Sequence, residues 1–519
     1  MLRKILIAGG GTAGWLCACY LARQLNCQAP GAITVELIES PEIGILGVGE
    51  GTFPSIRGAL AQIGISEARF IAATQATFKQ GIRFDHWVRP PGTPGHDHYV
   101  HPFNSPSQRS VELLPYWLLG ESGDMPFAAA VTMQKRIADA GRGPKRLKDA
   151  DYQGPMNYAY HFDAARFAAL LAEVGRELGV VHRLGTISGV ERGADGSIAG
   201  LQTREHGRLE ADLYIDCTGL RAALIGDALG VPLHALSDTL FVDRAVAIQI
   251  PYPAVDTPIP SYTISTAHAA GWTWDIGLQT RRGVGYVYSS RHSSDDAAEQ
   301  LLRRYLGPAA DALPARRLPF RTGYRRVQWQ HNCVAVGLSA GFLEPLESTG
   351  IGLIEMATYL IAHLLPISGE YARAARHFNT LMAARYERIV DFIKLHYCLS
   401  QRRDSAFWRD NTDADSIPDS LKDRLAEWRH RPPHRLDFLT DLEMFMPASW
   451  QYILYGMEFR TDLQAQRAGY PAQAQAAREF AGLRQVSAQA LADLPMHRAL
   501  IDSYLQPSAR QTEARAQRG

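Results

Sequence analysis

The chain has 519 residues, 46% of them hydrophobic and 21% charged, which is enough for one large enzyme fold or roughly three ordinary domains. This composition excludes a disordered chain, a collagen-like repeat and a disulfide miniprotein. With 54 basic against 53 acidic residues the net charge is +1, and the absence of long runs of either sign argues against a nucleic-acid or anionic-membrane partner.

The chain opens with a predicted strand, Lys4–Ala8, a glycine turn, Gly9-Gly10-Gly11-Thr12-Ala13-Gly14, a helix over 15–24 and a second strand over 33–39. That order is the βαβ unit of a doubly wound α/β sheet. The first apolar stretch runs into glycines where a secretory signal would carry a cleavage site. Residues 91–110, rich in Pro, Gly and His, read as a loop, and 163–178 as an amphipathic helix capped by Asp163. A further short strand over 211–215 ends in Asp216-Cys217-Thr218-Gly219. Residues 244–290 carry a β pattern, with strands 271–279 and 284–290 flanking a hairpin turn at Arg281-Arg282-Gly283.

The longest apolar segment, 351–367, is interrupted by Glu355 and His363 and predicts a core helix, no membrane span. Beyond 371 the pattern is helical, and the polar tail from Gln506 is expected to fray. The predicted organisation is a nucleotide-binding module over 1–370 with an inserted β-rich substrate layer, then a helical module over 371–519. Six scattered cysteines (Cys17, Cys19, Cys27, Cys217, Cys333, Cys398), with no paired C-x-x-C units, suit a reducing compartment and a cytoplasmic location.

Gly9, Gly11 and Gly14 form a G-x-G-x-x-G between strand and helix, so that Thr12 and Ala13 lie where backbone amides can approach a pyrophosphate. Glu39, closing the second strand, is placed to accept from a ribose; the alternative is an ordinary strand-end carboxylate. Two later segments favour FAD: residues 212–219, and Val334-Ala335-Val336-Gly337, which ends a strand before a helix that starts near Gly350. This shape resembles the segment with which flavoprotein monooxygenases hold the ribityl chain; Leu338 replaces the usual acid, leaving that contact to backbone, and Ile351 completes the expected cofactor contacts. With no second G-x-G-x-x-G there is no obvious NAD(P)H site, so a separate flavin reductase is expected to supply FADH2.

Five segments in register, Gly9 to Trp15, Gly47-Val48-Gly49-Glu50, Thr77-Phe78-Lys79-Gln80-Gly81, Trp272-x-Trp274-x-Ile276 and Phe342 to Gly350, together resemble the flavin-dependent tryptophan halogenases. The resemblance implies that reduced FAD and O2 give a flavin hydroperoxide, that chloride or bromide attacks its distal oxygen, and that hypohalous acid crosses a tunnel to an aromatic substrate. It assigns Val48, Gly49 and Glu50 to the cofactor, and Lys79 to meeting the oxidant as hydrogen-bond donor or haloamine. It has Glu347 stabilise the ring cation and remove its proton. On charge alone Lys79 would be a solvated surface lysine, and Glu347 a carboxylate favoured by the helix dipole. Glu344 is expected to be structural.

The amides of Thr349 and Gly350 would bind the halide; plain capping by Ser348 or Thr349 is the alternative. Trp272 and Trp274 would separate flavin from substrate, though two core aromatics fit the same spacing, and Gly277 stands where the family has proline. His101, Phe103, Ser348 and Phe445 would lie near the substrate. His96, His98 and His101 with Asp97 lack a fourth ligand at metal spacing, so no metal is expected. Near Phe445-Met446 the family's aromatic clamp for the amino-acid end is missing, which points to indole or a larger aromatic over free tryptophan. A homodimer is possible on this reading. The competing readings are a flavin-dependent aromatic hydroxylase and a catalytically silent flavin-binding protein.

Overall fold

Residues Ile5 to Ala8 are continuously apolar because their strand is buried on both faces, as the centre of a parallel sheet requires. In the computed structural model, which describes residues 1–44, 49–108, 110–439 and 442–506, Lys4–Ala8 pairs in parallel with Thr34–Glu39 on one side and Leu213–Asp216 on the other. Val181–Leu184 extends the sheet beyond Thr34–Glu39, and Cys333–Ala335 then antiparallel Trp329–Gln330 extend it beyond Leu213–Asp216. Gly47 and Val48 of the expected cofactor motif, and residues 507–519 of the expected tail, lie outside the described residues.

The glycine turn leads directly into the buried helix Thr12–Gln24. Trp15 of this helix packs against Gly175 of the helix Ala164–Glu177, where any Cβ would press on the indole. Asp163 caps that second helix as expected, accepting from the Arg166 amide at 3.0 Å.

A second, seven-stranded sheet forms the β-rich layer. Its order is Arg316–Pro319, Arg244–Pro251, Arg281–Tyr288, Gly271–Gly277, Thr263–His268, Gly81–Asp85, His98–Pro102, and its pairs are antiparallel except Thr263–His268 with Gly81–Asp85. Two expectations are corrected here. The segment 91–110 is not all loop, because His98–Pro102, buried from Tyr99 onward, pairs antiparallel with Gly81–Asp85 as the last strand of the sheet. The hairpin turns at Leu278-Gln279-Thr280, where the Leu278 amide donates to the Arg281 carbonyl at 2.8 Å. Arg281 and Arg282 are strand residues instead, each satisfied by a carboxylate: Arg281 by Asp163 and Arg282 by Asp275.

A small sheet of Glu50–Gly51, Ala159–Phe162 and Thr77–Lys79 lies between the two large ones in sequence. The C-terminal helices include Ala372–Cys398, Pro447–Gly456, Gln473–Asp493 and His497–Leu505. The last of these returns to the first hundred residues. His497 Nε2 accepts from the Phe78 amide at 3.0 Å, and the Tyr504 hydroxyl donates to Glu67 at 2.9 Å. Glu67 is fully buried and also takes Lys145 Nζ at 2.5 Å and the hydroxyls of Tyr158 and Tyr160. An ion pair this dry is held by its surrounding donors, since the attraction alone barely offsets desolvation. Among the described residues no helix is long and apolar enough to cross a membrane.

Candidate active site

At the nucleotide end, the glycine turn is shaped by what a side chain would strike. A Cβ at Gly9 would run into the Cys217 carbonyl, at Gly10 into the Glu39 carboxylate, and at Gly14 into the Gly9 carbonyl. Gly9 also has φ 111°, a conformation open to glycine. Gly11, by contrast, faces open space, and it precedes a helix whose start no side chain caps. This is the cradle an anionic pyrophosphate needs: free first-turn amides and no Cβ in the way. Glu39 closes the turn, with one carboxylate oxygen 2.7 Å from His182 Nε2. Gly337, φ 74°, packs on Ala13, and half-buried Leu338 follows it. Burial, with Asp163 adding to it, raises the Glu50 carboxyl to about 7, beside Gly49 at φ 83°.

The other end is a dry chamber. Lys79 closes a strand of three buried residues and has no exposed surface. Its Nζ donates to Ser348 Oγ at 2.9 Å and lies 5.5 Å from the centre of the Phe103 ring. Burial pushes the ammonium down to about 7 against the pull of the Glu347 charge. Gly51 makes the space: its ideal Cβ would stand 2.8 Å from Ser348 Oγ and 3.1 Å from Lys79 Nζ.

Glu347 and Ser348 both adopt left-handed backbone, φ 66° and 58°, which is unusual for consecutive residues other than glycine. The kink turns the two side chains to different partners. Ser348 does not cap the helix Thr349–Leu364 that follows; its hydroxyl is taken by Lys79. Glu347 is 1% exposed, and both its oxygens accept from His101 Nδ1, at 2.8 and 2.9 Å. His396 Nε2 stands 3.2 Å from Oε1. Burial alone would raise this carboxyl, yet the two imidazoles outweigh it and hold it at about 2.

An aromatic wall surrounds these groups. Phe53 lies 6.1 Å from Phe103 and 5.3 Å from Phe445, which stacks on Phe392 at 3.8 Å. His101 sits 6.5 Å from Phe445. Trp272 and Trp274 are buried on the strand Gly271–Gly277; Gly285 leaves the room that the Trp274 indole fills, and Trp272 packs on Trp87. Glu344 is buried beneath, accepts from Tyr397 at 2.6 Å, and is raised by burial to about 8.

Thr349 is buried, whereas Gly350 faces open space at the uncapped helix start. Ile351 is buried one residue on. The same helix reaches both ends of the site: Gly352 leaves room for Met444 and Phe53, and Ile354 lies against Gly337. The structure therefore gathers Lys79, Phe103, Ser348, Glu347, His101 and Phe445 into one chamber, and the glycines with Glu39 into another.

Sequence reasoning did not single out Phe53, Gly51, Phe392 or His396. Gly51 had a signal, following Gly49-Glu50 directly; the helical pattern of 372–398 concealed the other role of Phe392 and His396. The histidine-rich stretch is divided, His98 bonding Asp97 and His101 bonding Glu347. Among the described residues no three His, Cys, Asp or Glu side chains are grouped to hold a metal ion.

A mostly parallel sheet with a glycine turn at its first helix, joined to an aromatic chamber with a buried amine and a buried carboxylate, is the build of a cofactor-dependent enzyme for an apolar substrate. The chain belongs to the tryptophan halogenase family, whose model matches residues 4–472, and it is a flavin-dependent halogenase. It is 36% identical over 477 residues to tryptophan 6-halogenase SttH of Streptomyces toxytricini, covering 87% of this chain and 89% of that protein. Tryptophan 7-halogenase RebH of Lentzea aerocolonigenes is 35% identical over 441 residues, 82% of each chain. The crystal structure of a tryptophan halogenase from Shewanella frigidimarina superposes with a TM-score of 0.93 at 41% identity, covering 98% of both chains. Membership sets aside the hydroxylase and the silent flavoprotein.

Proposed function

We propose that this enzyme chlorinates or brominates the indole ring of tryptophan or a related aromatic, with Lys79 and Glu347 as its catalytic residues. The observation that carries the proposal is a fully buried Lys79 bonded to Ser348 and sharing its chamber with Glu347. The cofactor is FAD, held by Gly9, Gly11, Thr12, Ala13, Gly14, Glu39, Gly49, Glu50, Leu338 and Ile351. When bound in reduced form, delivered by a separate reductase, it supplies hypohalous acid from O2 and halide. The cradle without Cβ atoms and the uncapped helix start support that fit.

The uncapped start at Thr349 and Gly350, with open space beside Gly350, suits a halide ion. Trp272, packed on Trp87, and Trp274, seated against Gly285, are the residues proposed to separate flavin from substrate. With an ammonium lowered to about 7, a large share of Lys79 is a neutral amine near neutrality. That amine, steadied by Ser348, holds the electrophilic halogen for the ring, either by hydrogen bonding hypohalous acid or by displacing water from it to form N–X. Phe103, Phe445 and Phe53 present apolar faces to the ring. Glu347, held as an anion, stabilises the ring cation and takes the proton that restores aromaticity.

The substrate reading rests on the wall. Glu443, the nearest carboxylate in sequence to Phe445, is engaged by Arg388 at 2.9 Å, and Met444 fills the space at Gly352. Such a rim favours the ring over a free amino-acid head, so indole is expected to compete well with tryptophan. The test is mass spectrometry of products from indole and tryptophan with FAD, a flavin reductase, NADH, and chloride or bromide. A halogen isotope pattern lost in Lys79→Ala supports the proposal; equal halogenation by Lys79→Ala, or a hydroxylated product, refutes it.

A further inference from the structure

Glu347 is wanted as an acceptor for the most acidic proton in the reaction, yet it lies in a chamber whose dryness favours the neutral acid. What opposes dryness is a built set of donors. His101 Nδ1 meets both carboxylate oxygens, at 2.8 and 2.9 Å, and because an ionised carboxylate only accepts, that nitrogen carries the hydrogen. His396 Nε2 stands 3.2 Å from Oε1, close enough for charge attraction but outside hydrogen-bond geometry, while its Nδ1 lies 2.7 Å from the Tyr99 hydroxyl. With Tyr99 donating to Nδ1, the proton of a neutral His396 stays on Nε2, on the side of Glu347 but not bonded to it.

Each donor is fixed in turn. Tyr99 stacks on Phe84 at 4.7 Å with the rings 9° from parallel, and His396 lies 4.7 Å from the same ring. His101, 2% exposed, is boxed by Phe392, Phe445 and Tyr452. The groups facing Glu347 are thus His101 and Tyr99 from His98–Pro102, His396 from Ala372–Cys398 and Lys79 from Thr77–Lys79.

We infer that His101, seconded by the nearby His396, is a positioning residue that keeps Glu347 an anion, so that the carboxylate accepts the ring proton at every working pH. This rests on the proposed role of Glu347. In the step itself the carbon–halogen bond has formed with halogen from Lys79. The C–H bond at that carbon then returns its electron pair to the ring and gives its proton to a Glu347 oxygen, from which water removes it after product release. A ring cation is so strong an acid that a weak carboxylate base suffices; ionisation and aim are what the imidazoles provide.

The test uses the full chain with FAD, reductase, NADH and bromide, and compares two variants with similar polarity and different donor positions. In His101→Asn the amide nitrogen falls near the place of Nδ1; in His101→Gln it falls near Nε2. Product is measured from pH 8 to pH 5.5 and divided by hypobromous acid output, read with a soluble halogen acceptor, so that steps at the flavin cancel. Each protein's ratio is taken relative to its own value at pH 8, and the relative profile of His101→Asn is expected to follow that of the wild type on acidification. In His101→Gln, burial is less opposed, and the ratio is expected to fall about five- to tenfold further on acidification.

A fall in His101→Gln that is the same at every pH would mark a merely structural role and overturn the inference, as would an unchanged ratio. Folding of each variant is checked by retained flavin binding, and if His101→Gln does not fold, His396→Leu carries the same expectation. Failure of the underlying reading looks different: Glu347→Gln would then turn over normally at all pH values.

Discussion

Gly51→Ala puts one methyl group where the structure has none to spare. The new carbon would stand 2.8 Å from Ser348 Oγ, 3.1 Å from Lys79 Nζ and 3.4 Å from His161 Cδ2. Against an ordinary contact of about 3.5 Å, the hydroxyl must retreat by about 0.7 Å and the amine by about 0.4 Å. His161 is buried and bonded to Thr263 at 2.8 Å, so the Ser348 hydroxyl, by rotating about its Cα–Cβ bond, and the flexible end of Lys79 are what yield. The 2.9 Å bond between Lys79 and Ser348 is then lost or bent. Misplacing a reacting group by about 1 Å costs on the order of a hundredfold, so a shift of about half that predicts roughly a tenfold loss of halogenation. Overpacking adds about 1–3 kcal/mol of destabilisation. The assay measures halogenated product, free hypohalous acid and flavin affinity in parallel: product falls while the other two hold. Undiminished product would refute the reasoning, and a parallel fall in hypohalous acid would move the role of Gly51 to the flavin side.

Lys79 has a lower pKa in the folded chain, about 7, than the usual 10.5, so the unfolded state binds more protons between those values. The cost of burying Lys79 is therefore greatest below about pH 7 and fades as pH rises; Lys79→Met should stabilise the fold by on the order of a few kcal/mol at about pH 6 and by less at about pH 9, as denaturant titrations would show. Over the same range, product per hypohalous acid in the wild type should rise through about pH 7 if the neutral amine carries halogen, and a flat profile counts against it. In Gly10→Ala the methyl displaces the Glu39 carboxylate, and flavin titration should show at least about tenfold weaker FAD binding. Glu67→Gln leaves Lys145 without its counter-charge in a fully buried setting, which should cost about 3–5 kcal/mol and lower the thermal midpoint without abolishing FAD binding.

The opening strand, turn and helix were legible because glycine leaves a directional trace: a strand, a turn that tolerates no Cβ, and a helix start follow one another directly in sequence. The amphipathic helix capped by Asp163 was legible for the same local reason. Lys79 was different. Its charge and its flanks say nothing of burial, which is created by Gly51 and Ser348 far along the chain, so its place rested on resemblance. The partnership of Glu347 with His101 and His396 was not legible at all, since it joins residues from a strand edge, a kink and a long helix. Likewise, Arg281 and Arg282 mimic a turn because the carboxylates that let them sit in a strand, Asp163 and Asp275, are known only once the sheets have formed.

The helix that begins after the Glu347 kink spans both chambers, while Phe392, Met444 and Phe445, which border the aromatic one, come from the C-terminal part of the chain. On the proposed reading one side of the substrate wall is therefore inherited from a different stretch of the gene than Lys79 and Glu347, while Phe53, His101 and Phe103 supply the other side. A lineage can exchange bulky for small residues along 392–446 and visit new aromatic compounds while the segments 9–14, 77–79 and 342–350 stay untouched. Each trial along that path would still release an electrophilic halogen into the same dry compartment.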